Sequence, residues 1–226
     1  IKQGDGYSYG ETRDFTTISI SATLSKPVVT QTTATFSGNV NLDKTAPIEF
    51  GILYSNNHHN IQLAAGQKLK VTPEDNGDFS CKATELWHST TYYYCYYACQ
   101  DGSYTYGTLS EFTTESVNVS LSADSITQTT VTFNGNAELT ESGVIEVGVM
   151  YSTDSALSPR NERKLYPDSS GNMSLKVDGL HHNKDYYFCY YIYQVGYTFG
   201  PTQTFKTSDV SMTLSVDSVT QTTATF

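Results

Sequence analysis

Hydrophobic and polar residues alternate along most of this chain, and the alternating runs are short. Val119 and Leu121 alternate with polar residues, and so do Val131 and Phe133 further along. A period of two places successive side chains on opposite faces of a strand, so one face is buried and the other contacts water. Turn-forming sequences such as Ser169–Asn172 separate the runs. The pattern predicts short antiparallel strands and no helix of useful length.

Three sequence markers recur along the chain with a common spacing. The heptapeptide Thr30–Phe36 returns as Thr127–Phe133 and again as Thr220–Phe226. The second marker is an aromatic-glycine pair followed by Phe and Thr, found at Tyr106–Thr114 and at Phe199–Thr207. The third is a tyrosine-rich run around one cysteine, found at Tyr92–Tyr97 and at Tyr186–Tyr191. A period of about 95 residues shared by several markers indicates tandem structural repeats.

The markers divide the chain into two complete repeats and two partial ones. Residues 18–115 and 116–208 are the complete first and second repeats, residues 1–17 are the C-terminal end of a preceding repeat, and residues 209–226 are the first two strands of a following one. About seven short strands in each complete repeat predict an all-β fold of tandem Ig-like antiparallel β-sandwiches. Half a sandwich would expose its core face, so we expect a longer parent chain or a neighbouring chain to complete the ends.

Composition and charge limit the partners and the chemistry. The formal net charge is −10, and the few lysines and arginines are not clustered, so we expect no nucleic-acid partner. No apolar run approaches the roughly 20 residues of a membrane-spanning helix. The four cysteines and the histidine pair His58–His59 lack metal-ligand spacing, so we expect no metal or other cofactor. We also expect no enzymatic activity, because the repeats share no nucleophile with a base beside it.

The repeats resemble fibronectin type III domains. Leu86–Tyr92 has the leucine, threonine and tyrosine spacing of the tyrosine corner in that family, and Leu180–Tyr186 keeps the leucine and the tyrosine. A histidine stands in both copies where the family usually has proline. The resemblance implies that Tyr92 and Tyr186 are corner tyrosines, with their rings in the core and their hydroxyls bonded to nearby backbone.

More closely, the chain is similar to the tandem fibronectin-III-like repeats of surface proteins from Bacteroidetes-type bacteria. It has their Thr-Thr-Ala-Thr-hydrophobic-Ser-Gly opening at Thr32–Gly38, their Gly-apolar-apolar-Tyr-Ser strand at Gly51–Ser55 and Gly148–Ser152, and their Tyr-Gly…Phe-Thr-Thr strand at Tyr106–Thr114. The resemblance covers essentially the whole chain and implies an extracellular or cell-surface location. In that family such modules act as spacers, as adhesion modules or as accessory domains beside catalytic ones.

The tyrosine-rich strand carries side chains on two faces. If the corner tyrosines point into the core, the opposite face points to solvent and forms a candidate binding face. Its members are Tyr93, Tyr97, Tyr104, Tyr187, Tyr191 and Tyr197. Exposed aromatic rings can stack on sugars or anchor a protein interface. Cross-strand packing that merely stabilises the sheet is the simpler interpretation, because aromatic residues are common in strands.

Three short motifs match the Asp-Ser-apolar signal for O-glycosylation in the same bacteria. The candidate acceptors are Ser125, Ser155 and Ser218, and Ser125 and Ser218 occupy equivalent positions in successive repeats. The resemblance therefore implies possible sugar attachment at these three serines.

The sequence favours a non-catalytic extracellular repeat array that acts as a structural stalk or fibre segment of a cell-surface protein. The very short connection at Glu115–Ser116 suits such an array. One alternative is an adhesin or a carbohydrate- or protein-binding module that uses the tyrosine-rich face. A second alternative is a set of accessory domains in a secreted glycan-processing enzyme. The expected partners are neighbouring repeats of the same longer chain, with a glycan or a surface protein in the alternatives.

Overall fold

A computed structural model describes residues 2–3, 6–7, 11, 20–42, 48–140, 145–215, 218–219, 222 and 224–225. Up to the end of the first repeat the elements are β1 (Lys2–Gln3), β2 (Gly6–Tyr7), β3 (Ser21–Leu24), β4 (Val28–Val29), β5 (Ala34–Asn41), β6 (Glu49–Ser55), α1 (His58–Gln62), β7 (Gln67–Val71), β8 (Asp78–Ala83), β9 (Thr91–Gln100), β10 (Ser103–Tyr106) and β11 (Ser110–Thr113). The later elements are β12 (Val119–Asp124), β13 (Val131–Ala137), β14 (Glu146–Ser152), β15 (Asn161–Leu165), β16 (Asn172–Val177), β17 (Asp185–Tyr193), β18 (Tyr197–Phe199), β19 (Gln203–Lys206), β20 (Ser218–Val219) and β21 (Ala224–Thr225).

Two sheets form the first repeat. In one sheet β5 pairs with β3, β4 and β8, and in the other the order is β7-β6-β9-β10, with β11 also paired to β9. Aromatic rings fill the space between the sheets, because the inward positions of the strands are rich in Phe and Tyr. The ring centroids of Phe36 and Tyr94 are 5.1 Å apart, and those of Phe50 and Phe79 are also 5.1 Å apart. Each pair joins one sheet to the other and forms part of the core.

The second repeat has the same arrangement. One sheet has the order β12-β13-β16, and the other has the order β15-β14-β17-β18, with β19 also paired to β17. Its core contains buried side chains from both sheets: Leu121, Val131, Phe133, Ala137, Val147, Val149, Tyr151, Leu165, Met173, Val177, Leu180, Tyr186, Phe188 and Phe205. The predicted fold class, an all-β array of fibronectin type III-like antiparallel β-sandwiches, is confirmed.

One short helix, at His58–Gln62, departs from the sequence prediction, which gave no helix of useful length. The helix α1 begins after Asn57, whose side chain accepts a hydrogen bond from the N–H of His59 at 2.9 Å. Asparagine is a favoured residue at this capping position. Ile61 is the buried residue of the helix. A single apolar position in five residues gives no helical period, so the pattern along the chain could not indicate this element.

The recurring threonine motif forms a side-chain-stabilised turn before β5 and before β13. The N–H of Thr30 donates to the carbonyl of Thr33 at 2.9 Å, and the hydroxyl of Thr30 accepts from the N–H of Thr33 at 3.1 Å. The carbonyl of Thr32 accepts the N–H of Leu86 at 2.9 Å. Threonine hydroxyls favour turns of this kind. The second repeat makes the same bonds with Thr127, Thr130, Thr129 and Leu180.

A cluster of hydrogen bonds ties down the chain where it leaves the first repeat. Thr114 is buried, and its hydroxyl donates to the carbonyl of Trp87 at 2.6 Å while accepting the N–H of Thr90 at 3.0 Å. The next residue, Glu115, donates its N–H to the carbonyl of Thr30 in the threonine turn at 3.1 Å. We call this set the exit clamp of the first repeat.

The second repeat has an equivalent exit clamp. The buried Thr207 donates its hydroxyl to the carbonyl of His181 at 2.6 Å and accepts the N–H of Lys184 at 2.9 Å. Ser208 donates its N–H to the carbonyl of Thr127 at 3.0 Å. The three bonds are the same as in the first repeat although three of the five residues differ in kind, because the backbone supplies most of the partners.

The tyrosine corner of the second repeat is formed by Tyr186. Its ring is buried and stacks on Phe205, with centroids 5.2 Å apart and planes 7° apart. Its hydroxyl accepts a hydrogen bond from the N–H of His181 at 3.0 Å. Tyr92 of the first repeat is also buried and lies 6.4 Å from the ring of Tyr54.

We expect Tyr186→Phe to lower the free energy of unfolding of the second repeat by about 0.5–1.5 kcal/mol, the net value of one hydrogen bond. The ring would stay in the core, so the loss should come only from the N–H of His181 that the hydroxyl now accepts. Chemical denaturation of the wild type and the variant measures the difference. An unchanged midpoint would show that the hydroxyl does not stabilise the corner.

Candidate functional site

The candidate site is the outer face of the sheet that contains the tyrosine-rich strand, which is the face turned away from the sandwich core. In the first repeat Tyr106 of β10 pairs in register with Tyr97 of β9. In the second repeat Tyr197 pairs with Tyr193, and Phe199 pairs with Tyr191. Side chains of directly paired residues lie on the same face of a sheet. These aromatic residues therefore share the outer face.

Tyr97 and Tyr191 lie at the centre of this face and are buried, with 1% and 3% of their surface exposed. The prediction that these two side chains point into solvent is wrong. In the first repeat, Leu53, Ile61 of α1 and Cys95 form a small apolar cluster with Tyr97. This second core lies on the face that the alternating pattern assigned to water.

The second repeat covers its central tyrosine with other side chains. Met150 and Cys189 form a buried cluster with Tyr191, and Leu157 packs against it. The strand β14 is consequently buried on both faces from Val147 to Ser152. Alternation along the sequence does not reveal such a strand, because both sets of positions are apolar or small.

A glycine beneath each central tyrosine makes room for its ring. A Cβ at Gly51 would lie 2.7 Å from Cε1 and 2.9 Å from Oη of Tyr97, and a Cβ at Gly148 would overlap three atoms of the Tyr191 phenol. Real Cβ atoms do not approach ring atoms so closely. The glycine of the recurring Gly-apolar-apolar-Tyr-Ser motif therefore serves close packing of a ring against the strand, a common reason for glycine inside a strand.

The hydroxyl of each central tyrosine belongs to a three-residue network. Tyr97 donates to Oε1 of Glu49 at 2.9 Å, and Oε2 of Glu49 lies 3.0 Å from Nζ of Lys70. The second repeat has the same network among Tyr191, Glu146 and Lys164, with distances of 2.8 Å and 2.6 Å.

The network changes the pKa of its members. The hydrogen bond from Lys164, and then that from Tyr191, lower the pKa of the Glu146 carboxyl below its usual value. Burial, followed by the bond to Glu146, raises the pKa of the Tyr191 phenol. Because the carboxyl pKa is lowered by folding, its contribution to stability is present at neutral pH and is lost as the pH falls through the lowered pKa. Near neutral pH the Glu146 carboxyl therefore stays ionised and the Tyr191 phenol stays protonated and uncharged.

Exposed aromatic rings border the central tyrosine in the first repeat. Tyr104 and Tyr106 are 44% and 39% exposed, their ring centroids are 5.9 Å apart and their planes differ by 7°. Nζ of Lys68 lies 4.0 Å from the centroid of the Tyr104 ring. A cation at this distance interacts favourably with the face of the ring. We call Tyr97, Tyr104, Tyr106 and Lys68 the first aromatic patch.

The second repeat presents a similar and larger patch. Tyr197 and Phe199 are 45% and 50% exposed, with centroids 5.6 Å apart and planes 10° apart. Tyr193, also exposed, lies 4.9 Å from Tyr197. The guanidinium carbon of Arg160 is 5.8 Å from the Tyr197 ring. We call Tyr191, Tyr193, Tyr197, Phe199 and Arg160 the second aromatic patch.

The remaining candidate residues are not members of the two aromatic patches, although Tyr93 packs against the cluster that contains Tyr97. Tyr93 is half-buried and its ring contacts His58 edge-on at 4.9 Å, and Tyr187 is half-buried. Ser125 and Ser155 are exposed, whereas the side chain of Ser218, in β20, is outside the described part of the chain. The glycosylation hypothesis for these serines stays a prediction.

Sequence reasoning missed Tyr106, Tyr193 and Phe199, although a usable signal was present. Each is two residues from a residue already assigned to the outer face, so the period of a strand places it on that face too. Tyr106 and Phe199 are also markers of the repeat. The network carboxylates, Glu49 and Glu146, were also missed, although each stands two residues before the glycine of the recurring motif.

The thiols and the potential metal ligands show no assembled chemistry in the part of the chain that is described. Burial raises the pKa of the Cys95 thiol to about 11 and also raises that of Cys189. Such thiols are protonated and poorly reactive at neutral pH. Within the described ranges, no group of three or more His, Cys, Asp or Glu side chains is placed to hold a metal ion. The helix α1, the one among the described residues, is too short to cross a membrane.

The chain is similar to several solved structures. The sensor domain of the anti-sigma factor RsgI4 from Pseudobacteroides cellulosolvens, in its long form, is 18% identical over 46% of this chain and 99% of that domain, with a TM-score of 0.37. The two-domain fibronectin type III segment of chicken tenascin is 17% identical over 83% of this chain and 98% of that segment, with a TM-score of 0.35. No protein-family model and no curated protein sequence matches the chain.

Proposed function

We propose that this chain is a segment of a non-catalytic, extracellular repeat array that acts as a structural stalk of a cell-surface protein. The observation that carries the proposal is the exit clamp, which the two complete repeats share. In each, the last residues are bonded to the threonine turn and to the corner loop of the same repeat. The chain is thus fixed at the point where it passes to the next repeat.

The connection between clamp and next repeat leaves little free chain. Glu115 is bonded through both its N–H and its carbonyl, to Thr30 and Ser89 respectively. Val117 is already buried against Ile145 and Ile192 of the second repeat. A stalk must pass tension from one module to the next. A tension applied at Glu115 acts directly on hydrogen bonds that hold the end of a folded sandwich.

The extracellular location in this proposal, on the surface of a bacterial cell, rests on the recurring motifs of the sequence. The glycine motif at Gly51–Ser55 and Gly148–Ser152 resembles that of bacterial surface repeats, and in both repeats the glycine accommodates the ring of the central tyrosine. The partners that follow from the proposal are neighbouring repeats of the same longer chain.

Single-molecule pulling on the chain, tethered at both ends, tests the stalk. We expect two separate force peaks, one for each complete repeat, and each peak should release roughly 300 Å of chain, the contour length of just under 100 residues. Smooth extension without resolved peaks would contradict the proposal, because repeats that yield without resistance cannot carry tension.

A further inference from the structure

We propose that the two aromatic patches bind a neutral polysaccharide, a function additional to that of the stalk and independent of it. Both patches present two neighbouring rings with nearly parallel planes, 5.9 Å apart for Tyr104 and Tyr106 and 5.6 Å apart for Tyr197 and Phe199. The central tyrosine beside each pair is buried, but the residues of the pair are 39–50% exposed. Cross-strand packing alone does not account for rings left this exposed in both repeats.

The rings and the groups beside them match the two kinds of surface on a sugar. A pyranose ring has a C–H face, which can stack on an aromatic ring, and a rim of hydroxyls, which both donate and accept hydrogen bonds. Beside the rings of the second patch, Arg160 supplies donors and Glu162 an acceptor, held together at 2.7 Å. Glu162 also accepts the hydroxyl of Tyr197 at 3.2 Å. The first patch offers the ammonium group of Lys68 over the Tyr104 ring.

The charges favour a neutral polymer over an acidic one. Arg160 of the second patch has a carboxylate partner in Glu162, and Lys164 next to the patch has one in Glu146 at 2.6 Å, so the charges around these rings balance. The chain as a whole carries a formal charge of −10 and would repel a polyanion. A chain of neutral sugars meets no such repulsion and can use the paired groups as hydrogen-bonding partners.

Repetition of the patch supports a polymeric ligand. A stack on two rings is a small contact, so each patch alone should bind weakly. A long polysaccharide repeats the same contact surface, so patches on several chains can bind one molecule of it, and each further contact then benefits from a high effective concentration. Binding should therefore be stronger to long polymers than to short oligosaccharides of the same sugar.

Affinity electrophoresis of the whole chain in native gels tests the proposal. The gels would contain mannan, xyloglucan or hydroxyethyl cellulose as neutral probes and polygalacturonate as the acidic probe. We expect at least one neutral polymer to retard the wild type. Tyr197→Ala/Phe199→Ala should weaken this binding by about tenfold or more, the usual effect of losing a well-packed aromatic contact. Combining it with Tyr104→Ala/Tyr106→Ala should abolish retardation.

Two further variants separate binding from folding. Tyr166→Ala removes an aromatic side chain that is 77% exposed but lies outside both patches, and its retardation should equal that of the wild type. Phe199→Ala alone keeps Tyr197 against Tyr191 and should bind more weakly without a change in the thermal midpoint. The proposal is overturned if no neutral polymer retards the wild type, if only polygalacturonate does, or if folded patch variants are retarded as strongly as the wild type.

Discussion

Gly148→Ala should destabilise the second repeat by about 2–3 kcal/mol, toward the upper end of the range for overpacking a filled site. The added Cβ would lie only 2.2–2.4 Å from three atoms of the Tyr191 phenol. The ring would have to leave the buried cluster that it forms with Met150 and Cys189, and its hydrogen bond to Glu146 would be lost. Thermal or urea denaturation of the chain measures the effect.

A control and a double-mutant cycle show whether the clash is the cause. Gly196→Ala adds a methyl group where a Cβ meets nothing within 4 Å, so stability should change little. In the background of Tyr191→Leu, which removes the phenol ring, Gly148→Ala should lower the free energy of unfolding much less than it does in the wild type. Independent, additive effects of the two changes would contradict the proposed packing, since residues in contact are expected to couple.

Thr207→Val should lower the free energy of unfolding of the second repeat by about 1–3 kcal/mol, because two backbone groups lose the buried hydroxyl that is their partner. Valine has nearly the shape of threonine, so the volume of the site is kept. The lost hydroxyl, however, now donates to the carbonyl of His181 and accepts the N–H of Lys184. In the pulling experiment, the same substitution should weaken one of the two force peaks.

The exposed Thr204, in the strand β19 that ends one residue before Thr207, provides the matched control. Thr204→Val makes the same chemical change where water can replace the hydroxyl's interactions, and we expect an effect below about 0.5 kcal/mol. An equal fall in the free energy of unfolding for the two variants would mean that the bonds of the Thr207 hydroxyl do not stabilise the repeat. The exit clamp would then not secure the end of the repeat.

The repeat, the strand pattern and the fold class could be predicted from the amino-acid sequence. Those features depend on local chemistry that recurs at a fixed spacing: threonines that form a turn with their own backbone, as at Thr30–Thr33, and alternating apolar positions, as in β13. Period two was also sufficient to assign the tyrosines of β9 and β17 to the correct faces. Such information is contained in neighbouring residues, so it can be recognised without knowing what packs against them.

The outward side chains that remain in water could be identified only from the packing of the folded chain. Tyr97 and Tyr191 point away from the sandwich core, as the period of the strand requires, but side chains from other strands and from α1 cover them. The same is true of the network through Glu49 and Glu146, whose partners lie on separate strands. Exposure depends on contacts between segments far apart in the chain, and these contacts leave no period in the sequence. The exposed pairs, Tyr104 with Tyr106 and Tyr197 with Phe199, can therefore be told apart from the buried Tyr97 and Tyr191 only in the folded structure.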